Sequence, residues 1–139
     1  MKLSSFRYCM IVGALALAGL ALFYFIRYFV LSIALANNGL QPDLTQSIRA
    51  LWLAFGCQAL LIGLLYAIVA WKPHAVSREV IVILGLLQLV EGVLLFSFSG
   101  SGIAAALLIV AAACVLLGSV LWPKRLPPPS VTPTTGSVR

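Results

Sequence analysis

The segment 80–98, VIVILGLLQLVEGVLLFSF, decides the fold. It is an almost unbroken apolar run, and it is long enough to cross a hydrocarbon layer about 30 Å thick, which takes roughly 20 helical residues at about 1.5 Å each. It lacks the polar alternation that a water-lined barrel strand shows, so a helix is the reading. Gln88 and Glu91 interrupt it well inside the run. They make this segment both the clearest span and the one with chemistry inside it.

Working outward, three more runs of the same kind appear. The spans read as 8–36, 48–71, 80–98 and 103–122, giving an all-α integral membrane protein, a four-helix up-down bundle within residues 1–122. The chain has 139 residues, 63% hydrophobic and 9% charged, whereas soluble domains are about half apolar and about a quarter charged. The lipid bilayer is therefore the expected partner of most of its surface. The first run follows Lys2 and Arg7 as a signal peptide would, but it continues past Phe25, beyond a signal h-region of about 7–15 residues, and is read as a retained span.

Lysine and arginine collect on the cytoplasmic side of short loops. Lys2, Arg7, Lys72, Arg78, Lys124, Arg125 and Arg139 fall on one side, and only Arg27 and Arg49 lie toward the other, so both termini are expected in the cytoplasm. The formal net charge of +6 is spread over separate segments, which fits anionic lipid headgroups and not nucleic acid. The expected location is a bacterial inner (cytoplasmic) membrane.

Asn37 to Asp43 is the one sizeable outer loop; its Asn, Gly and Pro content ends the first helix. Ser97 to Gly102 and the segment from Lys72-Pro73-His74 read as short turns that make neighbouring helices antiparallel. Residues 123–139 carry five prolines and no helical period, the composition of a disordered cytoplasmic tail.

Small residues let helix backbones approach within a membrane. Gly56 and Gly63 in the second helix and Gly85 and Gly92 in the third are the expected packing positions, and the two glycine seams are expected to face each other. Arg49, Gly56 and Gly63 stand seven apart, as do Arg78, Gly85 and Gly92. That match is either helix-packing periodicity or the vestige of an inverted repeat.

Glu91 is the one acid well inside a span, and Gln88, three positions earlier, shares its face. An isolated carboxylate in hydrocarbon costs about 2.5 kcal/mol or more, so it is either held protonated or paired with a cation. Arg27, at a comparable outer depth, is the expected partner, with Arg49 the other candidate; Gln58 could complete a polar site. Such a group either couples transport to protons or cations, or fixes helix register as a buried pair. Arg49, Trp52, Trp71 and Trp122 fall at the membrane boundaries, where basic and aromatic side chains anchor in headgroups.

His74 is the one histidine and lies in a loop, and Cys9, Cys57 and Cys114 sit in separate helices without a C-x-x-C pair. No catalytic constellation, cofactor site or metal site is expected from these residues. In size and helix count the chain resembles the small multidrug-resistance transporters. That resemblance implies a membrane carboxylate in the first helix shared by two subunits of a dimer; here the first helix carries Arg27 and no acid, so the likeness is one of architecture. The leading expectation is a non-enzymatic accessory or assembly subunit, or self-associating scaffold, acting through helix contacts with itself or another membrane subunit. The alternative is a small proton-coupled transporter using Glu91.

Overall fold

The computed structural model describes residues 2–39, 41–99 and 102–122. The expected tail, 123–139, and the centre of the last turn, Gly100 and Ser101, lie outside the described residues. Four helices account for nearly everything described: α1 (Lys2–Asn37), α2 (Pro42–Trp71), α3 (Arg78–Ser99) and α4 (Gly102–Val120), with a single 3-10 turn at Pro73–Ala75. All four are long and apolar enough to cross a membrane.

α1 ends where Gly39 takes φ +63°, a left-handed conformation that costs glycine little. α2 begins at Pro42, earlier than the expected 48. The reason is local: proline at the first helical position has no N–H to waste, Asp43 sits in the favourable first turn, and Ser47 Oγ donates to the Asp43 carbonyl at 2.8 Å. With 36 residues, α1 is about 54 Å long at 1.5 Å per residue, well beyond a hydrocarbon core of about 30 Å. α4, with 19, matches that core closely.

Large apolar side chains such as Leu61, Ile83 and Leu117 cover the outside, as expected where lipid is the solvent. The inside combines large groups, among them Phe6, Met10, Leu17, Tyr66 and Ile81, with small ones such as Ala59, Ala105, Ala111 and Ala112 that let the helix backbones approach, and it also holds Gln88 and Ser119.

α1 and α4 form the centre of the arrangement. α1 packs on α2 and on α4, α4 packs on α3 as well, and α2 and α3 do not pack directly on each other. The glycine seams therefore do not face each other as the sequence suggested. A Cβ at Gly63 would lie 3.2 Å from the Ala14 carbonyl oxygen, and one at Gly56 would lie 3.3 Å from Tyr24 Cβ, so both glycines serve α1. Gly85 lies against Leu116 and Gly92 against Ile109 and Leu108, so this pair serves α4. Each seam has a helix of its own.

The seven-residue match acquires a structural meaning. Arg49 Nη2 donates to the Ser32 carbonyl of α1 at 2.8 Å, and Arg78 Nε donates to the Ser119 carbonyl of α4 at 2.9 Å. In both triplets an arginine ties its helix to a serine carbonyl of the neighbour, and two glycines then seat the same pair of helices. The neighbour precedes α2 in the chain but follows α3, so a simple tandem inverted repeat does not describe the relation. What the triplets share is a way of packing.

Candidate functional site

Because α2 and α3 stand apart, a cavity of about 280 Å³ remains between them, backed by α1 and α4. Leu17 and Leu20 of α1 and Leu108 of α4 form its back wall, and Phe55 of α2 and Phe98 of α3 stand at its exposed rim. Gln58, Gln88 and Glu91 supply polar groups along α2 and α3, and Tyr24 of α1 also lines the cavity. Most of its surface is hydrocarbon.

Two side-chain hydrogen bonds bridge the gap that the backbones leave. Gln58 Nε2 donates to Glu91 Oε1 at 3.1 Å, and Tyr66 Oη donates to Gln88 Oε1 at 3.2 Å. The helical spacing of Gln88 and Glu91 puts both on the α3 face toward α2. The two bonds differ in surroundings: Tyr66 and Gln88 are fully buried, whereas Glu91 is half-buried at the cavity wall. The Gln88 amide nitrogen, Nε2, is buried and makes no hydrogen bond.

The cavity is one-ended. Toward the Pro73 turn, below the Tyr66–Gln88 bond, Val69, Ala70 and Ile81 have no exposure, and Phe6 and Met10 of α1 fill the same end. Phe6 packs edge-on to Trp122 with ring centroids 5.2 Å apart. Toward the Asn37 turn, by contrast, Leu94 and Phe98 are exposed. Any entry to Glu91 is from that half, between α2 and α3.

Of the residues singled out in the sequence, Gln58, Gln88 and Glu91 come together and Arg27 does not. Arg27 is exposed, with its guanidinium carbon 5.6 Å from the centre of the Phe23 ring one turn earlier on α1. It points along its own helix and not across the bundle, so the expected Arg27–Glu91 pair is absent. Arg49 is held by the Ser32 carbonyl and leaves its Nε buried without a partner. Glu91 is thus a carboxylate with an amide neighbour and no cation partner among the described residues.

The boundary residues divide. Trp71 is exposed. Trp52 donates its indole N–H to the Tyr24 carbonyl at 2.9 Å and meets the Tyr24 ring edge-on, with centroids 5.1 Å apart. Trp122 is half-buried against Phe6. These two tryptophans join helices within the chain. Tyr66, a little over one turn before the end of α2, is a functional residue the sequence reading does not single out, although a buried tyrosine must bring its hydroxyl to a partner.

No group of three or more His, Cys, Asp or Glu side chains that could hold a metal occurs among the described residues. No family model matches the chain, and neither a curated protein nor a solved structure matches it. Function must be argued from the cavity.

Proposed function

We propose that this chain is a small multi-pass membrane carrier for lipid-soluble solutes, with Glu91 as the carboxylate whose protonation changes during transport. The observation that carries the reading is a carboxylate without a cation, opening into a one-ended cavity between two helices that do not pack together. A register-fixing acid would be expected to spend its charge on a partner. Glu91 keeps one oxygen available.

The glycine seams give the assembly reading no added support, because Gly56, Gly63, Gly85 and Gly92 are engaged by α1 and α4 of the same chain. Contacts between α1 and α2, between α3 and α4, and between α1 and α4 all run in opposite chain directions, as the pairs Arg49–Ser32, Arg78–Ser119 and Phe6–Trp122 illustrate. This supports four successive crossings in an up-down bundle. The lysine and arginine distribution then favours both termini in the cytoplasm, which puts the cavity mouth in the outer leaflet.

The mechanism this geometry supports is exchange at one carboxylate. An ionised Glu91 accepts a charge-strengthened hydrogen bond from a solute that enters from the lipid; a protonated Glu91 lacks that charge and holds the solute less tightly. The packed end below Tyr66 and Gln88 must loosen for the solute to pass, as alternating access requires. Proteoliposomes holding the purified protein should redistribute a lipid-soluble fluorescent amphiphile when a pH difference is imposed across the membrane. Equal redistribution in protein-free vesicles, together with recovery of the chain only as a fixed complex with another membrane protein, would sink the carrier reading and restore the assembly one.

A further inference from the structure

Gln88 is 1% exposed, and its amide is half satisfied. The oxygen accepts from Tyr66 at 3.2 Å, while Nε2 has no partner. A buried donor left without an acceptor is costly wherever water cannot reach it, and this one belongs to a residue that lines the cavity. On the same helix face, Glu91 offers the converse: Gln58 holds Oε1, which leaves the second carboxylate oxygen as an acceptor without a donor. An apolar cavity thus has one unanswered donor just beneath its lining, on Gln88, and one unanswered acceptor at its wall, on Glu91.

Resting on the reading of this cavity as the carrier's solute site, we propose that the solute is a neutral amphiphile recognised through a single hydroxyl. Its oxygen accepts from Gln88 Nε2 and its proton is donated to the free oxygen of Glu91, while its hydrocarbon lies against Leu17, Leu20 and Leu108. A hydroxyl is both donor and acceptor, so it answers both groups at once. A protonated amine has only donors and leaves Gln88 unanswered. A carboxylate places like charge beside Glu91, and an alkane answers neither group. Nonanol, a straight-chain alcohol with a single hydroxyl, serves as the probe for this cavity of about 280 Å³.

The test uses the full chain in lipid nanodiscs and a diazirine-bearing nonanol as photolabel. Label is expected on α2 and α3 around Phe55, Leu94 and Phe98, displaced by nonanol, with nonylamine a weaker competitor and nonane, which makes neither hydrogen bond, roughly a hundredfold weaker. Gln88→Met keeps the side-chain length and removes the donor, and should cut the preference for nonanol over nonane about tenfold, leaving the part that the Glu91 bond supplies. The competitor series on the unaltered protein needs no variant to fold. Equal displacement by nonane overturns the inference, because the cavity then holds only lipid tails. Stronger displacement by nonylamine overturns it in favour of a cation while leaving a carrier standing. Absence of saturable label overturns the inference and the solute site together. Saturable nonanol binding without transport supports the inference and ends the carrier reading alone.

Discussion

Glu91→Gln is expected to leave the protein folded and to remove the dependence of solute binding and transport on pH. The substituted amide keeps a carbonyl oxygen where Gln58 Nε2 now donates at 3.1 Å, so the α2–α3 bridge can persist. What is lost is the titrating charge. A hydrogen bond to a charged acceptor is worth about 1.5–3 kcal/mol, so affinity for a hydroxyl solute at neutral and alkaline pH should fall roughly tenfold or more. In the unaltered protein, binding should weaken as acidification protonates Glu91. In the variant, a titration of affinity against pH should be flat at the weaker level. Unfolding of the variant in mild detergent, with no measurable change in a surviving folded fraction, would instead make Glu91 a structural group.

Gly63→Leu is expected to damage the fold severely. Its Cβ alone would stand 3.2 Å from both the Ala14 carbonyl oxygen and Leu17 Cβ, and neither can swing aside because both are fixed to the α1 backbone. The rest of the leucine must push α1 from α2. Overpacking of this kind costs about 1–3 kcal/mol, and α1 also carries α4, so the damage should spread to the second interface. Gly19→Leu is the matched control, since nothing lies within 4 Å of a Cβ at Gly19. Unfolding by denaturing detergent should show a clearly lowered midpoint for Gly63→Leu and little change for Gly19→Leu; equal midpoints would contradict the α1–α2 seam.

The contrast between those two glycines shows where the sequence stops being legible. Four spans could be read because each is long and apolar, and three of the four polar candidates, Gln58, Gln88 and Glu91, do meet. Which way each helix faces was not readable: a helix that is apolar all round has no polar face to turn outward. A glycine declares that something comes close without saying what. Gly56 and Gly63 were therefore assigned to α3, when the structure seats them on α1. The same blindness paired Arg27 with Glu91 on depth alone, since depth follows from residue count and facing does not. The early start of α2 was available in Pro42 and Asp43, a first-turn pair that outweighs the polar look of the loop.

Glu91 also offers a chemical handle, because Asp43 and Glu79, the only other Asp or Glu residues, are exposed near helix starts. A carbodiimide reacts with a protonated carboxyl, and its solubility chooses the route of approach. Reconstituted protein should be treated with dicyclohexylcarbodiimide, which partitions into lipid, and the modified residue identified by mass spectrometry. An open cavity between α2 and α3 predicts rapid modification at Glu91, slowed by nonanol and not by a water-soluble quencher. Resistance of Glu91 in the folded protein, with reaction only after denaturation, would contradict the cavity and with it the carrier.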